Sequence, residues 1–256
     1  MLVGGAVALR ASRLVAPAEP VVVTEPPRRF VGRGGEKLDA ALDRFALDVT
    51  GAVALDAGAS TGGFTDCLLG RGAALVAAVD VGHGQLDARL LADGRVVVLE
   101  RTHVRALDPA FLTASLGHER VPVDVVTADL SFISLRSAVP VLAGPIVRAG
   151  GHLVLLVKPQ FEVGRVEASR GRGVVREPDL WLGALRAVAS SLVSAGAAIM
   201  DAMRSPIAGA SGNIEFFLHA VAHTGAHTCA HAGAGGKALS EEAEERLRVA
   251  VSTATE

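Results

Sequence analysis

Ala54-Leu55-Asp56-Ala57-Gly58-Ala59-Ser60-Thr61-Gly62-Gly63-Phe64-Thr65-Asp66 reads as a short apolar strand running into a glycine turn and then a helix. Small residues in such a turn let a ligand approach the backbone, and the start of the following helix offers N–H donors. The turn is not the G-x-G-x-x-G dinucleotide fingerprint and lacks the lysine of a phosphate loop, which argues against NAD and ATP. The next strand, Leu75–Val79, ends at Asp80. In open α/β sheets the ligand sits beyond the strand carboxyl ends, where an acid takes ribose hydroxyls. Asp56, closing the first strand, is expected to face a cationic group of the same ligand. A ribose and a positive charge with no required phosphate suggest S-adenosylmethionine. Gly58, Ser60, Thr61, Gly62, Gly63, Phe64 and Asp80 are its expected contacts on this side.

Outward from this stretch the period alternates between strand and helix. Further strands are expected at Val53–Asp56, Val96–Leu99, Val123–Ala128 and Leu153–Val157, then near 198–203 and 213–221. Helical patterns fall at 64–71, 85–92, 134–149 and 179–196, with another from Glu36 that repeats Leu38, Leu42 and Phe45 on one face. Continuous Val/Leu/Ala strands separated by helices indicate an α/β protein with an open, mostly parallel sheet covered on both faces. Residues 1–24 read as short β pieces, 25–35 as a stiff basic linker and 36–221 as the main domain. A Gly- and His-rich tail at 222–256 ends in a helix near 239–250, capped by Ser240.

The 256 residues carry 25 basic and 27 acidic side chains, a formal charge of −2. Half are apolar, ample for a large core. No apolar run approaches the roughly 18–20 residues needed to cross a bilayer, and no secretory signal pattern opens the chain. Cys67 and Cys229 are too few and too far apart for a disulfide framework, so a reducing, cytoplasmic setting is expected. Tyrosine is absent, and only Lys37, Lys158 and Lys237 interrupt an otherwise all-arginine set of basic residues. Where a bare positive charge suffices, arginine serves; a compact, deprotonatable amine is different chemistry, so the surviving lysines are worth watching.

DAGASTGGFTD, VDVGHGQL, ADLSFISL, LVKPQFEVG and SGNIEFF occur in this order along the chain. Together they resemble the TlyA family of FtsJ-like RNA 2′-O-methyltransferases, whose members are often labelled hemolysins. The likeness covers about residues 30–220 and implies a Rossmann-like, S-adenosylmethionine-dependent methyltransferase fold. It also implies a Lys–Asp–Lys–Glu tetrad, carried here by Lys37, Asp129, Lys158 and Glu215, with ribosomal RNA or a ribosomal subunit as partner and cytidine as target. Two of the three lysines fall on that tetrad.

The chemistry has its own logic. Asp129 and Lys158 end consecutive strands, so both point to the sheet edge where a methyl donor would lie. A ribose hydroxyl is a poor nucleophile until it loses its proton or is held beside a cation. Lys158 is expected either to abstract that proton or to stabilise the developing alkoxide. Asp129 and Glu215 would orient the lysines and the hydroxyl, Lys37 would complete the charge balance, and Asp129 also borders the cofactor.

The family resemblance implies an N-terminal S4 RNA-binding module, of which residues 2–23 match only the β end; the expectation is a truncated module. RNA contacts would then fall to Arg28, Arg29 and Arg33 and to Arg165, Arg170, Arg172 and Arg176, in a loop long enough to be a functional lid. His103 stands where the resemblance implies an asparagine beside the adenine. His219, His223, His227, Cys229 and His231 are broken up by Gly225 and a strand end, so no metal is expected. Two other readings are a membrane-active hemolysin and an inactive RNA-binding protein. The first is opposed by the missing spanning segment and the absence of a strongly cationic amphipathic helix, the second by the intact tetrad.

Overall fold

The Val-, Leu- and Ala-rich runs form strands wherever both faces can be buried. After a small N-terminal set, β1 (Leu2–Val3), β2 (Ala6–Val7) and β3 (Val21–Val22), come β4 (Val53–Ala57), β5 (Leu75–Val79), β6 (Val96–Leu99), β7 (Val123–Ala128), β8 (Val147–Val157), β9 (Ala197–Arg204) and β10 (Phe216–Ala222). The computed structural model describes residues 1–8, 10, 12–22, 29–164, 173–209, 211–222 and 238–255. The large sheet runs in the order β6-β5-β4-β7-β8-β10-β9, and the N-terminal strands form a separate sheet ordered β2-β1-β3. β4 pairs in parallel with β5 and β7, and β5–β6 and β7–β8 are also parallel. Within the large sheet β10 is the one antiparallel strand, and the small sheet is antiparallel throughout.

The chain enters this sheet at its middle, steps out to β6 and returns to β7. The order therefore reverses between β4 and β7, and a crevice opens beyond their carboxyl ends. Alternation along the strands divides the core in two. Leu55, Ala57, Val126 and Leu155 face one helical layer, while Ala54, Val125, Val154 and Leu156 face the other. The first layer holds α4 (Pro109–Leu116), α5 (Val139–Leu142), α7 (Pro178–Ser194) and α8 (Glu241–Ser252); the second holds α1 (Arg33–Arg44) and α2 (Gly63–Gly70). Two short helices, α3 (Ala88–Leu91) and α6 (Pro159–Glu162), sit at the rim. The terminal helix α8 is capped by the Ser240 side chain, as its sequence implies, and buries Leu247 and Val251 in the larger core.

Several boundaries differ from the sequence expectation. The helix expected over 134–149 is a single 3₁₀ turn and the four-residue α5, and β8 already begins at Val147. Pro140 fits only the first turn of α5, and Gly144 packs so tightly on it that a Cβ would lie 2.5 Å from the Pro140 carbonyl oxygen. Helix α4 was not expected, although its signals are in the sequence. The Asp108 side chain caps it, Pro109 opens it and Gly117, at φ +92°, ends it. Strand β10 starts at Phe216 rather than 213 because the Asn213 side chain bonds Val175 and Gly173 across the loop.

Two glycines of the turn serve packing. A Cβ on Gly62, at φ +95°, would lie 2.1 Å from Leu90 Cδ1. One on Gly63 would lie 2.9 Å from the Gly35 amide nitrogen, so Gly63 lets α1 cross close over α2. Gly62→Ala combines backbone strain with overlap and is expected to cost about 2–4 kcal/mol, read as a lowered midpoint in chemical denaturation.

Candidate active site

Beyond β4 the chain turns at Gly58, whose φ is +86° and where a Cβ would meet the Asp129 carbonyl oxygen at 2.6 Å. Glycine is required there for the two strand ends to pass. Ser60 follows at φ +49° and donates its backbone N–H to Asp80 Oδ2 at 2.8 Å, while Gly82 N–H donates to Asp80 Oδ1 at 2.7 Å. Both oxygens of Asp80 are thus fixed by one backbone donor each, and each keeps a lone pair for a ligand.

Two cavities meet at this edge. The larger, about 360 Å³, is bordered by Asp80, Gln85, His103, Leu130 and Ile133, with Asp129 at one side. No lysine or arginine among the described residues lines it. The smaller, about 190 Å³, is bordered by Arg33, Gly34, Thr61, Phe64 and Lys158. Gly58, Ser60, Asp129 and Ser131 belong to both.

At the junction Lys158 Nζ lies 2.7 Å from Asp129 Oδ1 and donates a hydrogen bond to Ser131 Oγ at 2.8 Å. The Asp129 contact is ionic and off the axis of a good hydrogen bond. The Phe161 ring stands 6.0 Å from the same amine, at the outer limit of a cation–π contact. A second pair, Lys37 Nζ to Glu215 Oε2 at 2.6 Å, is buried, with side-chain exposures of 8% and 3%. Backbone register brings the pairs side by side. Phe216, the first residue of β10, is opposite Val157, the last of β8, so Glu215 and Lys158 flank the same paired strand ends. The four residues of the expected tetrad therefore stand as two ion pairs at one sheet edge.

Asp56 does not line either cavity. It shares the Ala54 face of β4, is fully buried, and accepts hydrogen bonds from Thr65 Oγ1 at 2.7 Å and Thr127 Oγ1 at 3.4 Å. It faces α2 rather than a cationic ligand group. Burial pushes its carboxyl up to about 7, with a smaller push from the Asp129 charge, against the Thr65 and Thr127 hydrogen bonds. Because its value is raised in the folded state, the stability this proton provides is present below the ordinary carboxylate range. That stability is lost as pH rises toward about 7. Asp56→Asn, neutral throughout, should flatten this part of the stability profile and melt no lower than the parent chain at pH 8. A thermal melt series from pH 4 to 8 measures both.

The FtsJ-like methyltransferase family matches residues 30–221, three quarters of the chain and all of this sheet edge. The chain belongs to that family. The 16S/23S rRNA (cytidine-2′-O)-methyltransferase TlyA of Mycobacterium tuberculosis is 50% identical over 197 residues, 77% of this chain and 70% of that protein. A candidate rRNA methyltransferase of Bacillus subtilis, YqxC, is 42% identical over 224 residues, 85% of this chain and 77% of its own. A solved structure of a candidate hemolysin from Streptococcus thermophilus superimposes with a TM-score of 0.76 at 37% identity, over 90% of this chain and 77% of that one. The fold is the Rossmann-like fold of S-adenosylmethionine-dependent methyltransferases.

Within this FtsJ-like domain the remaining expected residues separate. His103 lines the larger cavity, but its Nδ1 accepts the Arg105 N–H and caps a 3₁₀ turn. Phe64 is buried and stacks on Phe217 at 6.0 Å. Arg33 reaches the smaller cavity. Arg29 is paired with Asp39 and ties the segment before α1 to that helix, while Arg71, also on Asp39, staples α1 to α2. Arg176 is exposed; Arg28, Arg165, Arg170 and Arg172 lie outside the described residues, as do His223, His227, Cys229, His231 and Lys237. Among the described residues no group of three or more histidines, cysteines or acids is disposed to hold a metal, and no helix is long and apolar enough to cross a membrane.

Two residues here carried no role in the sequence reading. Ser131 holds Lys158, and Glu162 is a buried carboxylate that accepts from Ser134 Oγ and from the Leu135 N–H at 2.6 Å. Their signal was the company they keep, inside ADLSFISL and LVKPQFEVG, though neither motif by itself says what they touch.

Proposed function

We propose that this chain transfers the methyl group of S-adenosylmethionine to a ribose 2′-hydroxyl, on cytidine of 16S rRNA, 23S rRNA or both, in the cytoplasm. The observation that carries the reading is the meeting of two cavities at Asp129 and Ser131, with Lys158 held on the side of the smaller one. The rRNA methyltransferases it resembles supply the substrate class.

The larger cavity fits S-adenosylmethionine by its donor set. Its volume suits a ligand of that size. Two carboxylates and no cation line it among the described residues, which favours hydroxyls and a positive charge and disfavours phosphate. Asp80 would take the ribose hydroxyls, Leu130 and Ile133 would flank the adenine, and His103 would border it. Asp129 would lie nearest the cationic centre, and Gly58 and Ser60 would shape the remaining wall, while Thr61, Gly63 and Phe64 border the smaller cavity. When bound, S-adenosylmethionine supplies an electrophilic methyl group beside the junction.

The acceptor ribose would enter the smaller cavity past Arg33. Lys158 would hold its 2′-oxygen, and either take the hydroxyl proton or stabilise the negative charge that develops as that proton leaves to solvent. Asp129 keeps the Lys158 amine at the junction. The Lys37–Glu215 pair, joining α1 to the entry of β10, would back Lys158 without adding net charge. Alignment of the 2′-oxygen with the methyl group would supply much of the rate.

RNA phosphates would be met by Arg28, Arg29, Arg33, Arg165, Arg170, Arg172 and Arg176, giving salt-sensitive affinity. The β1–β3 sheet would be the β portion of an S4-like RNA-binding module, 25–35 its basic linker, 36–221 the methyltransferase domain and 222–256 the tail and closing helix. The apolar residues of the large sheet are buried in two core layers.

Purified chain incubated with S-adenosyl-[methyl-³H]methionine and undermethylated ribosomal subunits tests this. Digestion to nucleosides should place the label in 2′-O-methylcytidine. Label on a base, or none in any rRNA although the cofactor binds, would overturn the proposal.

A further inference from the structure

We propose that Ser131 is a positioning residue for Lys158, a role that rests on the reading of Lys158 given above. The Lys158 ammonium has three donors. One side of it meets Asp129 Oδ1 at 2.7 Å, but off the hydrogen-bonding axis, while the aligned hydrogen bond goes to Ser131 Oγ at 2.8 Å. A single ionic contact fixes a distance and leaves the amine free to swing around it. A second acceptor on another residue fixes the direction as well, and leaves a donor for the incoming 2′-oxygen. Ser131 lines both cavities, so it sits where such a brace must be.

The placement of Ser131 is built into the fold. The Asp129 N–H donates to the Ala57 carbonyl at 2.9 Å, which fixes the start of the segment at the end of β4. At its far end the buried Glu162 carboxylate accepts from Ser134 Oγ and the Leu135 N–H. Glu162 belongs to α6, which begins one residue after Lys158. The segment bearing Ser131 and the helix following Lys158 are thus clamped together by a carboxylate whose side chain is 1% exposed. Between those anchors Phe132 adopts φ +65°, a left-handed conformation uncommon for a bulky residue. Ser134, in the same segment, caps a 3₁₀ turn. Among the described residues Ser131 caps no helix or turn, and its hydroxyl accepts from Lys158.

Loss of the hydroxyl should therefore loosen the amine without disturbing the cofactor or the fold. Ser131→Ala is expected to lower kcat roughly 10–100-fold, the scale of a small misplacement of a reacting group. KM for ribosomal subunits, S-adenosylmethionine affinity by calorimetry and melting temperature should stay near those of the parent chain. Ser131→Thr keeps the oxygen and should restore most of kcat. A readout independent of turnover is the rate at which Lys158 is acetylated by acetic anhydride, followed by peptide mass spectrometry; it should rise several-fold in Ser131→Ala and not in Ser131→Thr.

Lys158→Ala is run alongside. If it is inactive while Ser131→Ala keeps full kcat and parental Lys158 labelling, the Ser131 role is overturned and the methyl-transfer reading stands. Equal loss of kcat in Ser131→Thr and Ser131→Ala also overturns it, because the oxygen would then not be what matters. An active Lys158→Ala overturns the reading beneath it.

Discussion

Lys158→Ala is expected to lower methyl transfer about 10²–10⁴-fold, the usual range for losing a positioned acid–base group. S-adenosylmethionine binding should change little. Lys158 lines the smaller cavity and not the larger one, so the expected cofactor contacts at Asp80, Leu130 and Ile133 are untouched. The folded state should lose about 1–3 kcal/mol, because the pair is largely buried, 11% exposed at Lys158 and 24% at Asp129, and the carboxylate left behind is only partly solvated. Lys158→Arg sharpens the result. Arginine retains the charge but stays protonated and presents a flat fork in place of a compact amine. It should rescue little, which distinguishes a requirement for this amine from a requirement for any cation. Single-turnover rates with ribosomal subunits, paired with calorimetry of cofactor binding, measure both halves.

The second large effect concerns Lys37. Its pair with Glu215 is almost wholly buried, and removing one partner leaves the other charge in the interior with nothing to balance it. Lys37→Met should cost about 3–5 kcal/mol in chemical denaturation and abolish activity. Lys37→Met combined with Glu215→Leu replaces the ions by apolar groups and should regain most of that stability, since buried pairs are often no more stabilising than well-packed hydrocarbon. Activity should not return. A double variant that folds well and fails to transfer methyl would separate the functional demand for this pair from its effect on folding.

Much of this architecture is legible in the sequence because buried parallel strands are written as uninterrupted Val, Leu and Ala runs. β5 and β6 begin and end where those runs do, and β7 keeps its expected bounds although Asp124 and Thr127 interrupt the run. The open, doubly covered sheet and the methyltransferase fold follow from that alternation and from the ordered motifs, and the structure agrees. Legibility fails where one residue type serves two purposes. Val139 to Val147 is apolar enough for a helix, yet Pro140 and Gly144 divide it into a turn and a strand start. Gly62 and Gly63 resemble a ligand cradle, but their missing Cβ atoms make room for Leu90 and for α1. Asp56 stands at a strand end like Asp80, and only the two-residue alternation of β4 reveals that it points beneath α2. Ser131 shows why contacts are harder to read than elements. Its partner lies 27 residues away, and only the junction of two strand ends brings them together.

The lysines illustrate the opposite case. In a chain that uses arginine for nearly every positive charge, two of the three lysines form ion pairs at this sheet edge, Lys158 at the cavity junction and Lys37 buried behind it. Arg71, by contrast, staples α1 to α2 through Asp39 and Asp43, where a forked, permanent cation is the better fit.

The most direct measurement maps 2′-O-methylation at nucleotide resolution on rRNA from cells that lack this gene and carry either the parent chain or Lys158→Ala. A 2′-O-methylcytidine is expected with the parent chain and missing with Lys158→Ala, both proteins being expressed at equal level. Identical ribose-methylation maps in the two strains would contradict it.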